Sequence, residues 1–245
     1  MQKVEFVIEK HLLKVRARDD ISADEEAEIR SLVGQVVEFP AHHTVIRSGQ
    51  ELHQSMLLLD GWMSRMKDLH GGQRQIAELN VAGDFVDLHG FTLKTLDHDV
   101  VTVTACRVAL VPHERLREMT ERYPHLTRVY WFLTNLDAAI HREWTLSLGR
   151  RAALARMAHL FCEMFVRLRI VGLTSDGAYE FPLTQVELGE CLGLTSVHVN
   201  RTLQELRRRD LLELRARRLK ILDWEGLQGV AEFDDSYLYL NKRQR

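Results

Sequence analysis

Apolar and polar positions change rhythm several times along the chain. Up to residue 34 the texture is helical, and Ser22-x-x-Glu25 is a capping signal in which each side chain can satisfy the other residue's backbone N–H. From Val36 to Val111 short apolar runs alternate with turn residues. Val36–Phe39, Thr44–Ile46, Met56–Leu59, Trp62–Met66, Gln75–Leu79, Phe85–Val86, Val100–Thr104 and Arg107–Val111 are predicted strands. Ser48-Gly49, Asp60-Gly61, Gly71-Gly72 and Gly83-Asp84 punctuate them as turns. Short strands at this spacing predict an antiparallel β-roll, a jelly-roll-like barrel.

After Pro112 the period becomes that of a helix. His113–Glu121 predicts one short helix, and Pro124 is placed to open a longer one. Leu126, Val129, Leu133, Leu136 and Ile140 recur at alternate spacings of 3 and 4, an a/d seam. Such a seam can pack on the barrel, or it can pair with the same helix of a second copy as a dimerisation surface. Gly149 interrupts the pattern and predicts a hinge. Arg151–Leu168 then resumes as a helix, with Leu154, Met157, Ala158, Phe161 and Phe165 on one face. The tail after Asp234, DSYLYLNKRQR, reads as polar and frayed.

The stretch Phe181–Asp223 carries the most chemistry. Thr184 and Glu187 form a second capping box, Gly193 permits a tight turn, and Thr195 is a good N-cap for a further helix running to about Arg209. Leu183, Leu188, Leu192, Leu194, Val199, Leu203 and Leu206 supply the inward positions. Gly189 is small where two helices would cross. The outer face of the second helix then holds Ser196, Val197, His198, Asn200, Arg201, Gln204 and Arg207–Arg209, side chains suited to base edges and phosphates in a major groove. Leu211–Arg215 and Leu219–Leu222 read as two strands around Ala216-Arg217-Arg218, a basic hairpin or wing. The expected DNA-binding residues are Thr184, Gln185, Thr195, Ser196, Val197, His198, Asn200, Arg201, Gln204, Arg207, Arg217 and Arg218.

Charge supports that reading. The 245 residues carry 33 basic and 35 acidic side chains, a net of −2. The segment 150–220 holds 13 basic against 8 acidic residues, so the positive charge is concentrated where phosphate would be met. No apolar run approaches a membrane span. The segment MQKVEFVIEKHLLKVRARDD carries acids and lacks a signal-peptide core, which makes the cytoplasm the expected location.

The order of β-roll, heptad-bearing helix and winged helix-turn-helix resembles the Crp/Fnr family of bacterial transcription regulators. The resemblance runs from about Ser31 to Asp223 and rests on LTQVELGECLGLTSVHVNRTLQELRRRDLL, LLLDGWMSRM and AGDFVDLHGF. It implies an α+β chain with a helical segment at 1–30, a β-roll sensor at 31–123, a dimerisation helix at 124–148, a winged helix-turn-helix at 149–229 and a tail at 230–245. It also implies a homodimer on a two-fold symmetric operator, with RNA polymerase as a further partner if the protein activates. Ser196, Val197, His198, Asn200 and Arg201 fall on the family's base-reading positions. Val197 stands where Glu is usual, while Arg201 matches, so the half-site need not follow the common consensus.

The same resemblance leaves the effector open. Cyclic-nucleotide-binding members have Gly-Glu and Arg-Ser where this chain has Asp87-Leu88 and Leu96-Asp97, and a carboxylate opposes a phosphate. No Cys precedes Cys106, so the N-terminal cluster of the iron–sulfur members is missing. Asp87, Leu88, His89, Leu96, Asp97 and His98 are the candidate effector-pocket residues. Twelve histidines show no HxxxH or HxH spacing, and Cys106, Cys162 and Cys191 form no CxxC pair. No metal and no cofactor is expected, and phosphate-loop, GxSxG and zincin motifs are absent, so an enzyme is not expected. The alternative to an effector-controlled regulator is a ligand- or redox-sensing module that acts mainly through protein contacts. Regulation by abundance alone, with the pocket empty, is a third reading.

Overall fold

A computed structural model describes residues 8–245, so the first seven positions of the expected N-terminal helical segment lie outside the described residues. The chain divides into two compact units. One takes the chain up to Met66, Leu79–Ala138 and Tyr239–Arg245, and the other takes Lys67–Glu78 and Ala139–Leu238.

The first unit opens with α1 (Glu9–Arg16) and α2 (Ala23–Ser31), the latter started by the expected capping box of Ser22 and Glu25. Seven strands follow along the chain: β1 (Gln35–Phe39), β2 (Thr44–Ile46), β3 (Gln54–Asp60), β4 (Trp62–Asp68), β5 (Arg74–Val81), β6 (Asp99–Thr102) and β7 (Cys106–Pro112). Of these, β4 from Lys67 and β5 up to Glu78 belong to the second unit. They form two antiparallel sheets of order β1-β7-β3 and β2-β6-β4-β5, the expected β-roll. Phe85–Val86 is not a strand. Phe85 makes a single bridge to Leu57, and the carbonyls of Phe85 and Val86 accept from the Arg65 guanidinium. A one-turn helix, α3 (Gly90–Leu93), follows it.

β3 is buried on both faces, which explains its unbroken apolar run. Met56 and Leu58 point inward with Val108, Met63, Val86, Leu96 and Val100. Leu57 and Leu59 point outward with Ala109 and Val111, into a second cluster that takes in α1, α2, α4 (His113–Arg122) and α5 (Pro124–Arg150). The seam residues Leu126 and Val129 belong to that cluster, Leu133 packs against it, and Leu136 and Ile140 are also buried. The seam is therefore packed within the chain, the first of the two uses its spacing allows. A different stripe of α5 is exposed: Arg128, Trp131, Asn135, Ala138, Arg142 and Thr145.

The end of the chain is not frayed as its polar sequence suggests. The Arg245 guanidinium lies 3.4 Å from the Phe132 ring centroid and donates to the Arg18 carbonyl at 2.7 Å.

α5 runs unbroken through Gly149 to Arg150, so the predicted hinge is helical and the break falls at Arg151-Ala152. In the second unit α6 (Ala153–Ile170) is central, followed by β8 (Thr174–Ser175), β9 (Ala178–Glu180), α7 (Gln185–Leu192), α8 (Ser196–Arg208), β10 (Leu212–Arg215), β11 (Arg218–Ile221), α9 (Trp224–Ala231) and a 3-10 turn at Asp235–Leu238. The strands form one antiparallel sheet of order β10-β11-β9-β8. The core centres on Phe161, edge-on to Phe181 at 5.1 Å, while the Tyr179 hydroxyl donates to the Phe161 carbonyl at 2.9 Å. The fully buried Glu163 carboxylate is satisfied by Arg167 (3.0 Å), the Trp144 indole (3.1 Å) and the Tyr237 hydroxyl (2.8 Å).

Candidate nucleic-acid interface

The expected helix-turn-helix is α7 and α8, and its local chemistry explains its geometry. Thr184 Oγ1 accepts the Glu187 N–H at 3.2 Å, and Glu187 Oε2 accepts the Thr184 N–H at 2.8 Å. α7 ends in a left-handed Gly193 (φ 61°), and the Leu194 N–H reaches back to the Gly189 carbonyl at 2.9 Å, the bond of a Schellman motif. Thr195 Oγ1 then accepts the His198 N–H at 3.3 Å and starts α8. Val199, Thr202, Leu203 and Leu206 bury one face of α8.

The opposite face is open. Ser196, Val197, His198, Arg201 and Gln204 are exposed, Asn200 is half-buried, and the helix-start residues Thr184, Gln185 and Thr195 are exposed too. His198, Arg201, Gln204 and Arg208 line a depression of about 630 Å³ together with Ala153, Leu154, Thr202 and Glu205. Val197, Arg201 and Gln204 recur at four and three residues, which puts them in one stripe.

The arginines at the end of α8 have partners of their own. The Arg207 guanidinium donates to the Leu214 carbonyl on β10, so this residue ties the hairpin to the helix as well as offering charge. Arg208 and Arg209 both grip Glu205, at 2.8 Å each, and hold its carboxyl down at about 2. The wing turn is sharper than the sequence suggests. Ala216 (φ 47°) and Arg217 (φ 61°) are both left-handed, the requirement of a two-residue type I′ hairpin normally met by Asn or Gly. Arg217 and Arg218 are exposed at this tip, with Arg215 and Lys220 flanking them.

Of the pocket candidates, His89, Asp97 and His98 lie together, whereas Asp87, Leu88 and Leu96 are buried. Asp87 is fully buried, its Oδ1 accepts the Met56 N–H at 2.6 Å, and burial raises its carboxyl to about 7. Leu88 lies in the outer cluster and Leu96 in the inner one. A Cβ added to Gly90 would come within 2.7 Å of Leu52 Cδ1 and 3.6 Å of Leu96 Cδ2, so two leucines fill the space beneath α3. The rings of His89 and His98 are 5.5 Å apart, and His89 Nδ1 lies 3.8 Å from Asp137. The Asp97 side chain is 78% exposed and accepts from His98 at 2.9 Å. Arg65, which sequence reasoning missed, organises this loop by binding the Val86 carbonyl (2.7 Å) and Asp137 (2.6 Å). Its only sequence signal was a basic residue within an apolar strand. All three cysteines are buried, and burial pushes each thiol pKa upward.

A β-roll, a long helix and a capped helix-turn-helix with a basic wing define a two-module DNA-binding regulator. The family model of the Crp-like helix-turn-helix domain matches residues 155–230, and that of the cyclic nucleotide-binding domain matches residues 36–123. A probable transcriptional activator of Rhizobium leguminosarum bv. viciae is 32% identical over 166 residues, 67% of each chain. The transcriptional activator protein FnrL of Cereibacter sphaeroides is 29% identical over 185 residues, 74% of this chain and 73% of that one. The solved structure of FixK2 from Bradyrhizobium japonicum superposes with a TM-score of 0.75 at 22% identity, covering 81% of this chain and 98% of that one. The chain belongs to the Crp/Fnr family of transcription regulators. No described helix is long and apolar enough to cross a membrane.

Proposed function

We propose that this regulator acts as a homodimer on a two-fold symmetric operator, reading each half-site with α8 and holding the backbone with the wing. The observation that carries the reading is the exposed stripe Val197, Arg201 and Gln204 on a helix fixed at its start by the Thr195 cap and the Gly193 turn before it. Arg201 suits bidentate readout of a guanine edge, and Val197 offers apolar contact where a methyl group projects into the groove. Thr184, Gln185, Thr195, Ser196, His198 and Asn200 join that stripe as backbone and base contacts. Arg207, Arg217 and Arg218 add phosphate contacts.

The dimer contact is assigned to the exposed stripe of α5, because the heptad seam is already buried. Trp131, 65% exposed, would be its apolar anchor, with Ala138 allowing close approach one heptad later. The β-roll is assigned a structural role without a cyclic nucleotide. Leu52 and Leu96 fill the site beneath α3, and Asp87 is committed to a backbone N–H. Selection of bound duplexes from a random pool tests the whole reading. It should return a palindrome with half-site centres about one helical turn apart, bound equally well with and without cyclic nucleotides.

A further inference from the structure

The long helix and the helix-turn-helix meet at one arginine. Arg156, in the first turn of α6, donates from Nε to the Ser147 carbonyl at 3.1 Å. Its Nη2 donates to the carbonyls of Leu148 (3.1 Å) and Arg151 (3.0 Å). Its Nη1 donates to the Leu192 carbonyl at the end of α7. Ser147 and Leu148 belong to the last turn of α5 and Leu192 ends α7, so three of these acceptors are C-terminal carbonyls of two helices, where the helix dipoles are negative. A planar fork with five donors can serve both ends at once, whereas an ammonium is a single point donor. The same corner is packed from the other side. A Cβ at Gly193 would lie 3.5 Å from Leu148 Cδ2 and 3.6 Å from Arg156 Nη1.

We propose that Arg156 is a positioning residue for DNA reading: it clamps the α7 end of the helix-turn-helix to the last turn of α5 and so fixes the angle at which α8 is presented. The inference rests on the assignment of α8 as the reading helix. Arg156 does not itself line the depression beside α8. Its loss should therefore spare charge-driven binding and damage discrimination.

The test uses the full chain, a duplex enriched by the wild-type protein from a random pool, and an unrelated duplex of equal length at the same salt. Arg156→Ala should lose about tenfold of its preference for the enriched duplex, with affinity for the unrelated one nearly unchanged. Arg156→Lys should lose about threefold, because the ammonium reaches one helix end but not both. Thermal unfolding of each variant checks the fold, and if the alanine variant does not fold the lysine variant decides. A folded variant that keeps the wild-type preference, or that loses affinity equally for both duplexes, overturns the clamp. A wild-type protein with no preference overturns the DNA-reading assignment itself, and the clamp with it.

Discussion

A Cβ placed on Gly189 would come within 2.5 Å of the carbonyl oxygen of Leu194. The acceptor is backbone, so it cannot swing aside as a flexible side chain would. Gly189→Ala should force the turn between α7 and α8 open, lowering stability by about 1–3 kcal/mol. Thermal or urea unfolding reads the stability. Selective DNA binding should fall with it, because the turn sets the position of α8.

The left-handed pair Ala216 and Arg217 stores strain at the wing tip. Ala216→Gly should stabilise the protein by about 1 kcal/mol, because the backbone there no longer carries a side chain. Arg217→Ala should weaken binding to all duplexes alike and reduce the slope of log affinity against log salt by about 1. Titrations at several salt concentrations separate this effect from a loss of base reading.

Asp87 gives a pH prediction of definite sign. Its carboxyl is raised in the folded protein from 3.8 to about 7, so the fold favours the protonated form. The favourable contribution is complete below the unfolded value and is lost as pH rises towards about 7. Asp87→Asn keeps an acceptor for the Met56 N–H and removes the titration. The variant should match the wild type in pH dependence below pH 4 and gain on it through pH 7, by an amount on the order of 4 kcal/mol at most. Unfolding midpoints of both proteins from pH 4 to 8 check this, and parallel curves would contradict it.

Trp131 separates the two faces of α5. Trp131→Glu changes an exposed side chain and should leave the β-roll folded while shifting sedimentation towards the monomer. Val129 is the matched control on the inward face. Val129→Glu places a charge in the buried outer cluster and should unfold the first unit instead.

Most of the strands, the capping boxes and the helix-turn-helix were legible because each leaves a local mark: alternation, Thr-x-x-Glu, or a glycine before an N-cap. The seam of α5 was legible as an apolar stripe, but periodicity says only that a stripe needs cover, not which surface covers it. The tail shows the same limit. Its polar sequence predicted fraying, yet Leu238 is buried and Arg245 is held by Phe132 and Arg18. A contact between Arg18 and Arg245 has no local signature. Two of the expected effector-pocket residues show the same limit. Leu88 and Leu96 stand beside a motif in the sequence, whereas the fold gives each of them to a hydrophobic cluster.

The most direct test of the DNA-reading account is binding of wild type and Arg201→Ala to the enriched palindrome and to all single-base variants of one half-site. Arg201→Ala should lose about 1–3 kcal/mol on the palindrome and lose discrimination at one base position while keeping the others. Equal losses on every duplex, or wild-type affinities that do not distinguish the palindrome from random sequence at physiological salt, would contradict the account.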